Sequence, residues 1–145
     1  MNVNPATLDR LGRILGRVVR LIALVLALTL AARGWAYIGP AAPDRTPDAL
    51  DGLNALLPMP AWAIVCFAIS ATIISGILFH RLFYSIGLTA YCALNGAWVM
   101  SYLSAWAFGY SDRSWITAVG YMPEIAFAVA LLILGPPRPL ARKLE

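Results

Sequence analysis

The most unusual residues of this sequence for chemistry are a proline and a glutamate inside a long apolar run. Pro123 and Glu124 lie near the middle of residues 115–135, a segment long enough to cross a bilayer. An acidic group at that depth costs about 2.5–3.5 kcal/mol on insertion scales, so we expect Glu124 to be sheltered by the protein or by a partner. Pro123 lacks a backbone N–H and is expected to kink the helix locally. The pair indicates a site without indicating its activity.

Asn95 is the residue that we expect to accompany Glu124. It lies within another uncharged run, 82–110, where a side-chain amide needs hydrogen-bond partners. The connector 109–114 is short, so the helices on either side of it should be antiparallel neighbours, with Asn95 and Glu124 offset in depth by roughly 6 Å. The sequence therefore predicts a buried polar layer of Asn95 and Glu124. No second carboxylate, basic residue or histidine is expected at that depth, which favours a protonated glutamate that serves packing over a transport site.

The composition places the chain in a membrane. Of its 145 residues, 61% are hydrophobic and only 12% are charged, and the mean hydropathy is +0.74, which is too apolar for an ordinary soluble domain. The formal net charge is +4, but the basic residues stand at the ends of apolar segments and form no reading face for nucleic acid. We therefore expect a lipid bilayer as the partner and no nucleic acid.

The sequence offers no catalytic or metal-binding constellation. It has no nucleophile elbow, no glycine-rich phosphate loop and no paired carboxylates, so we do not expect an enzyme. Cys66 and Cys92 fall inside predicted spans and His80 lies in a turn, so no set of four zinc ligands is available. We expect no metal, no cofactor and no disulfide, and we interpret His80 as a residue at headgroup level rather than a proton relay.

The apolar runs predict an all-α protein, a membrane-embedded four-helix bundle. The predicted segments are a basic amphipathic lead-in helix 1–17, transmembrane helix 18–38, outer loop 39–60, transmembrane helices 61–79, 85–106 and 115–135, and basic tail 136–145. The first span contains Arg33, which is expected to snorkel to the outer interface. A cleaved secretory signal, with Tyr37 as the mature start, is an alternative for this span. Within the outer loop, a short surface helix and an irregular connector remain equally open.

The basic residues predict that both termini are cytoplasmic. This topology assigns eight Lys and Arg residues to the cytoplasmic side and three, Arg33, Arg45 and Arg113, to the outer side. Tryptophans and tyrosines gather at the predicted outer ends, as in the aromatic belts of membrane proteins.

Small residues repeat along the predicted spans and mark faces on which helices can approach closely. For the third span we expect packing within the chain rather than between copies. The residues are Ala68, Thr72 and Gly76 in the second span, Ser85, Thr89, Ala93, Ala97, Ser101 and Ala105 in the third, and Gly120 and Ala128 beside Glu124 in the fourth. Trp98, Tyr102 and Trp106 form an aromatic stripe on a neighbouring face of the third span.

The layout of the whole chain resembles a known group of proteins. An arginine-rich start, the loop end 57–62 (LPMPAW), the turn 112–115 (DRSW) and a basic, proline-bearing tail are similar to the small multispan proteins of actinobacterial phage lysis regions, several of which are holins or holin-like. The resemblance implies a multi-pass protein of the bacterial inner membrane that accumulates, self-associates and makes that membrane permeable.

A second hypothesis needs no permeabilisation. The same small-residue faces are suited to docking onto another membrane protein, with Glu124 paired across the interface. The chain would then be a non-catalytic accessory or scaffold subunit of a larger membrane complex.

Overall fold

The computed structural model describes residues 5–38 and 48–136, and all regular structure within them is helical. The all-α prediction is therefore confirmed for this part of the chain. The first residues of the predicted lead-in, most of the first half of the outer loop and nearly all of the basic tail lie outside the described residues. The elements are α1 (Pro5–Ala36), a 3₁₀ turn (Asp48–Leu50), α2 (Asp51–Leu56), α3 (Met59–Leu78), α4 (Arg81–Ala107) and α5 (Ser114–Leu134).

Helix α1 joins two segments that the sequence predicts as separate. The basic lead-in and the first span form one uninterrupted helix of 32 residues, because Leu, Ala and Arg dominate it and no proline follows Pro5 within it. The side chains between Arg10 and Val18 are largely exposed, whereas Ala23, Ala27 and Leu30 are completely buried. Only the C-terminal part of α1 therefore packs against the other helices.

Within the described residues, three helical segments are long and apolar enough to cross a membrane: Arg10–Ala36, Met59–Leu78 and Ser114–Leu134. This confirms the membrane assignment. Helix α4 is not among them, although its 27 residues are more than sufficient in length. The reason is its content of tyrosine, tryptophan, serine and asparagine, which lowers its mean hydropathy.

Helix α4, the long helix that is not among these candidate spans, lies at the centre of the packing. Helix α4 packs along both α3 and α5, and α1 packs along α3, whereas α1 and α5 meet over a much shorter stretch. The buried residues of α4 recur every three or four positions and so form one stripe. They are Tyr84, Gly87, Leu88, Tyr91, Leu94, Asn95, Trp98, Val99, Tyr102 and Ala105.

Two glycines bring α3 and α4 into close contact. A Cβ on Gly76 would collide with the backbone of Tyr84, and a Cβ on Gly87 would lie 2.7 Å from Cγ1 of Ile73. The turn between the helices is correspondingly tight, and the Nδ1 of His80 accepts a hydrogen bond from the backbone N–H of Leu82 at 3.2 Å. His80 therefore caps α4 and is itself exposed.

The second half of the predicted outer loop is helical and docks on the protein. Leu50 is 1% exposed, the indole N–H of Trp62 donates to the carbonyl of Leu53 at 3.1 Å, and the Ser101 hydroxyl donates to the carbonyl of Ala49. Of the two alternatives for this loop, the short helix is the one found here. It lies against the C-terminal part of α4 and not only on a lipid surface.

Candidate functional site

A charged pair joins α1 and α5, two helices that otherwise meet over only a short stretch. The guanidinium of Arg33 on α1 forms a salt bridge with the carboxylate of Glu124 on α5, through Nη2 and Oε1. Each side chain is 22% exposed. Because α1 and α5 approach each other only over a short stretch, this pair is a principal link across their seam.

Two residues of α4 complete the polar cluster. The Tyr91 hydroxyl donates to Oε2 of Glu124, so both carboxylate oxygens have a donor. The Oδ1 of Asn95 accepts a hydrogen bond from Nη1 of Arg33 at 2.8 Å, and its Nδ2 donates to the carbonyl of Tyr91 at 2.9 Å. Asn95 and Tyr91 are both completely buried. We call Arg33, Tyr91, Asn95 and Glu124 the polar cluster.

Aromatic rings surround the guanidinium of this cluster. The Cζ of Arg33 lies 4.4 Å from the ring centroid of Tyr121 and 5.9 Å from that of Trp98, both within the range of cation–π attraction. The ring of Trp98 also meets Tyr37 at 6.1 Å and Tyr121 at 5.8 Å, and Tyr121 stacks on Tyr102 at 6.0 Å. We call Tyr37, Trp98, Tyr102 and Tyr121 the aromatic shell.

The polar cluster corrects the expectation that no basic residue reaches the depth of Glu124. Glu124 stands ten residues into α5, about 15 Å from its start, whereas Arg33 is only three residues from the end of α1. Arg33 and Glu124 nevertheless lie at the same depth. The contact between Tyr37 and Trp98 explains this, because it places the end of α1 beside a residue that lies nine positions before the end of α4. Arg33 therefore points into the protein and does not snorkel to an outer interface.

The cluster also changes the interpretation of Glu124. The sequence favours a protonated side chain with Asn95 as its companion, but the structure places a guanidinium and a phenol on its two oxygens. Two donors suit an ionised carboxylate, which accepts at both oxygens. Asn95 is connected to Glu124 through Arg33 and through Tyr91. The pair of charges thus neutralises itself inside the protein, which lowers its cost in an apolar environment.

The predicted small-residue faces fall into three groups by exposure. In the isolated chain, Gly76, Ala105 and Ala128 are buried; Thr72, Ser85, Ala97 and Ser101 are partly buried; and Ala68, Thr89, Ala93 and Gly120 are exposed. A repeat of exactly four residues drifts by about 40° at each step around a helix of 3.6 residues per turn, so it cannot follow one contact line for six positions. Within the single chain the exposed members have no neighbouring helix over them, so close packing at these positions stays a prediction.

Pro123 lies within α5 and is exposed, and the helix continues through it. Since proline has no N–H, the carbonyl one turn earlier receives no helical hydrogen bond from it. The next residue is Glu124. The proline thus stands beside the seam between α1 and α5 but outside the polar cluster.

Other features of the described residues offer less chemistry. No group of three His, Cys, Asp or Glu side chains within them is arranged to hold a metal ion, and Cys66 and Cys92 are free thiols. A groove of about 380 Å³ lies between α2 and the end of α4. Its lining includes Asp51, Ser101, Ser104 and Tyr110.

Arg33, Tyr91 and Tyr121 are the site residues that the sequence did not identify. A signal for Arg33 existed, since it interrupts an otherwise apolar segment of α1, but its assignment to an outer interface concealed its role. Tyr91 lies four residues before Asn95 and therefore on the same face of α4.

Comparison of the chain with protein-family models, with curated proteins and with solved structures finds no match. The functional argument therefore rests on the polar cluster and its position.

Proposed function

We propose that this protein is a holin-like membrane protein, a four-helix bundle with both termini in the cytoplasm that self-associates and makes the bacterial inner membrane permeable. The observation that carries the proposal is the polar cluster at the seam between α1 and α5. Four hydrogen-bonding side chains are concentrated where two membrane-compatible helices have little other contact.

The closed seam keeps these groups satisfied in an apolar surrounding. If α1 and α5 separate, Arg33 and Glu124 lose each other and require new partners, because an uncompensated charge in hydrocarbon is costly. Water supplies those partners and lipid tails do not. An opened seam therefore favours a hydrated path, which is the requirement for permeabilisation.

Self-association has its own support on the outside of the helices. Thr89 and Ala93 of α4 and Ala68 of α3 are small and exposed, as close helix–helix contacts in membranes require. If further copies pack on these positions, the α1–α5 seams of several chains can surround one opening in the membrane.

Controlled expression in a bacterium with a potential-sensitive dye tests the proposal. We expect abrupt loss of the membrane potential once the protein has accumulated. Tyr91→Phe removes one donor to Glu124 without adding a charge, so it should weaken the closed seam and shorten the delay at equal protein level in the membrane fraction. Ser104→Ala, which removes an exposed hydroxyl that bonds only within its own helix, is the matched control and should leave the delay unchanged.

The same experiment separates the two functional hypotheses. Normal growth and an intact potential at high membrane levels of the protein would contradict permeabilisation. If a membrane protein of the host also co-purifies stably, the accessory or scaffold role replaces it, with the exposed small-residue faces as the docking surface. Equal delays for wild type and Tyr91→Phe would contradict the seam as the opening element, even where depolarisation occurs.

A further inference from the structure

The N-terminal end of α1 carries exposed arginines close to one another. Arg10, Arg13 and Arg17 are all exposed, and their spacing of three and four residues places them on one side of the helix. Exposed apolar residues lie between them, including Leu11, Ile14 and Leu15 at 57%, 49% and 52% exposure. This stretch therefore presents guanidinium groups and apolar side chains together, clear of the packed helices.

Among the side chains that the structure describes, the charges of this stretch have no acidic counterpart at the same end of the protein. Among the residues whose side chains are described, 10–38 and 49–136, the acidic ones are Asp51, Asp112 and Glu124. Asp51 and Asp112 lie in or beside the connectors at the opposite end, and Glu124 is engaged by Arg33. Arg81, at the start of α4, adds a further positive charge on the side of the N-terminus. The charged side chains that are described at this end, from residue 10 onward, are thus all basic.

The length of α1 places the arginines at the level of lipid headgroups. The apolar candidate span Arg10–Ala36 has 27 residues, or about 40 Å of helix, whereas the hydrocarbon core of a bilayer is about 30 Å thick. The surplus is at least about 10 Å and, because the end of α1 lies below the end of α4, it falls at the N-terminal end, in the stretch from Arg10 to Arg17. The headgroup layer is roughly 5–7 Å thick on each side, so these arginines lie within it or just beyond it.

We propose that Arg10, Arg13 and Arg17 form a binding surface for the phosphate groups of anionic glycerophospholipids. Guanidinium groups pair with phosphate oxygens through parallel hydrogen bonds, and the apolar side chains between them contact the upper part of the acyl chains. Basic side chains near an anionic membrane surface contribute additively to such binding. The binding surface is separate from the polar cluster and does not depend on permeabilisation.

Lipid selectivity of the reconstituted full-length protein tests this inference. The protein is placed in phosphatidylcholine vesicles that contain a trace of spin-labelled phosphatidylglycerol or spin-labelled phosphatidylcholine, and electron paramagnetic resonance measures the motionally restricted fraction of each. We expect wild type to prefer phosphatidylglycerol about fivefold or more, since one basic residue near the surface accounts for about that factor. Salt near 1 M should reduce the preference by screening.

Three variants locate the binding surface. The triple variant Arg10→Gln/Arg13→Gln/Arg17→Gln should lose most of the preference, with a remainder from other basic residues at this end such as Arg81. The triple change to Lys should keep most of the preference, because charge is retained. Arg113→Gln removes one exposed arginine at the opposite end and should change little. The single variant Arg13→Gln should give a partial loss if the triple Gln variant fails to fold. A wild-type preference near unity, an unchanged preference after the Gln substitutions, or an equal loss in Arg113→Gln would overturn the proposal.

Discussion

Two seams between helices of this protein are held together by different physical means. Between α3 and α4, Gly76 and Gly87 allow the two backbones to meet so closely that neither position has room for a Cβ. Between α1 and α5, the contact is short and depends on the pairing of Arg33 with Glu124. The close-packed contact is stabilised by many weak van der Waals contacts, each of which contributes little. The contact between α1 and α5 depends on a few strong polar interactions. We therefore expect α3 and α4 to stay in contact and α1 and α5 to be the helices that can separate.

The largest effect is expected from removing one charge of the polar seam. Arg33→Ala should lower the free energy of unfolding by about 3–5 kcal/mol, because Glu124 is left without its cation. The measurement is equilibrium unfolding in mixed micelles of dodecyl maltoside and SDS, followed by tryptophan fluorescence.

Removing both charges gives the control for that prediction. Arg33→Met/Glu124→Leu replaces the pair by apolar groups and should recover most of the lost stability, since a buried ion pair often contributes little relative to an apolar replacement. If the double variant is as unstable as Arg33→Ala alone, the two charges are not coupled, and the polar seam is not the link described here.

A smaller loss is expected from the phenol that supports Glu124. Tyr91→Phe keeps the ring in its buried position and removes only the hydrogen bond to Oε2. A hydrogen bond to a charged group contributes about 1.5–3 kcal/mol, and we expect a loss near the lower limit because Arg33 still neutralises the carboxylate. Tyr110→Phe, at an exposed tyrosine, should be neutral in the same unfolding assay. A neutral Tyr91→Phe would show that the phenol contributes no stability to the seam.

The close-packed seam is tested by adding one methyl group. Gly76→Ala should cost about 1–3 kcal/mol, because the new Cβ meets the backbone of Tyr84 and not a movable side-chain tip. The measurement is again unfolding in mixed micelles. A neutral result would mean that α3 and α4 can separate as easily as α1 and α5, which would remove the difference between the two seams.

Gly120→Ala is the matched variant in α5, and its expected effect is the smallest. Apart from its chain neighbours and the backbone of its own helix, nothing lies within 4 Å of an added Cβ there, so the substitution should stabilise the helix by about 0.5–1 kcal/mol through its better helix propensity. The sequence alone predicts packing at Gly120, so a loss of stability in a monomeric preparation would favour that interpretation over the structure.

The sequence predicts those features that depend only on residues close together along the chain. The short connector between α4 and α5 relates the depths of Asn95 and Glu124 by counting along two neighbouring helices. Arg33 could not be placed in this way, because the depth of α1 depends on how its end packs beside Trp98. The inward face of α4 was also not predictable from small residues, since large rings such as Tyr84 and Trp98 fill the interior.

The low hydropathy of α4 has a consequence for how the chain enters a membrane. Helix α4 is less apolar than α3 and α5, so it is expected to insert less readily than they do when its neighbours are missing. Helix α3 precedes it directly, across the two-residue turn Phe79–His80, and α5 follows with the carboxylate that binds Tyr91. Insertion of α3 and α4 as a hairpin, completed when α5 arrives, allows the polar groups of α4 to enter the bilayer already facing protein.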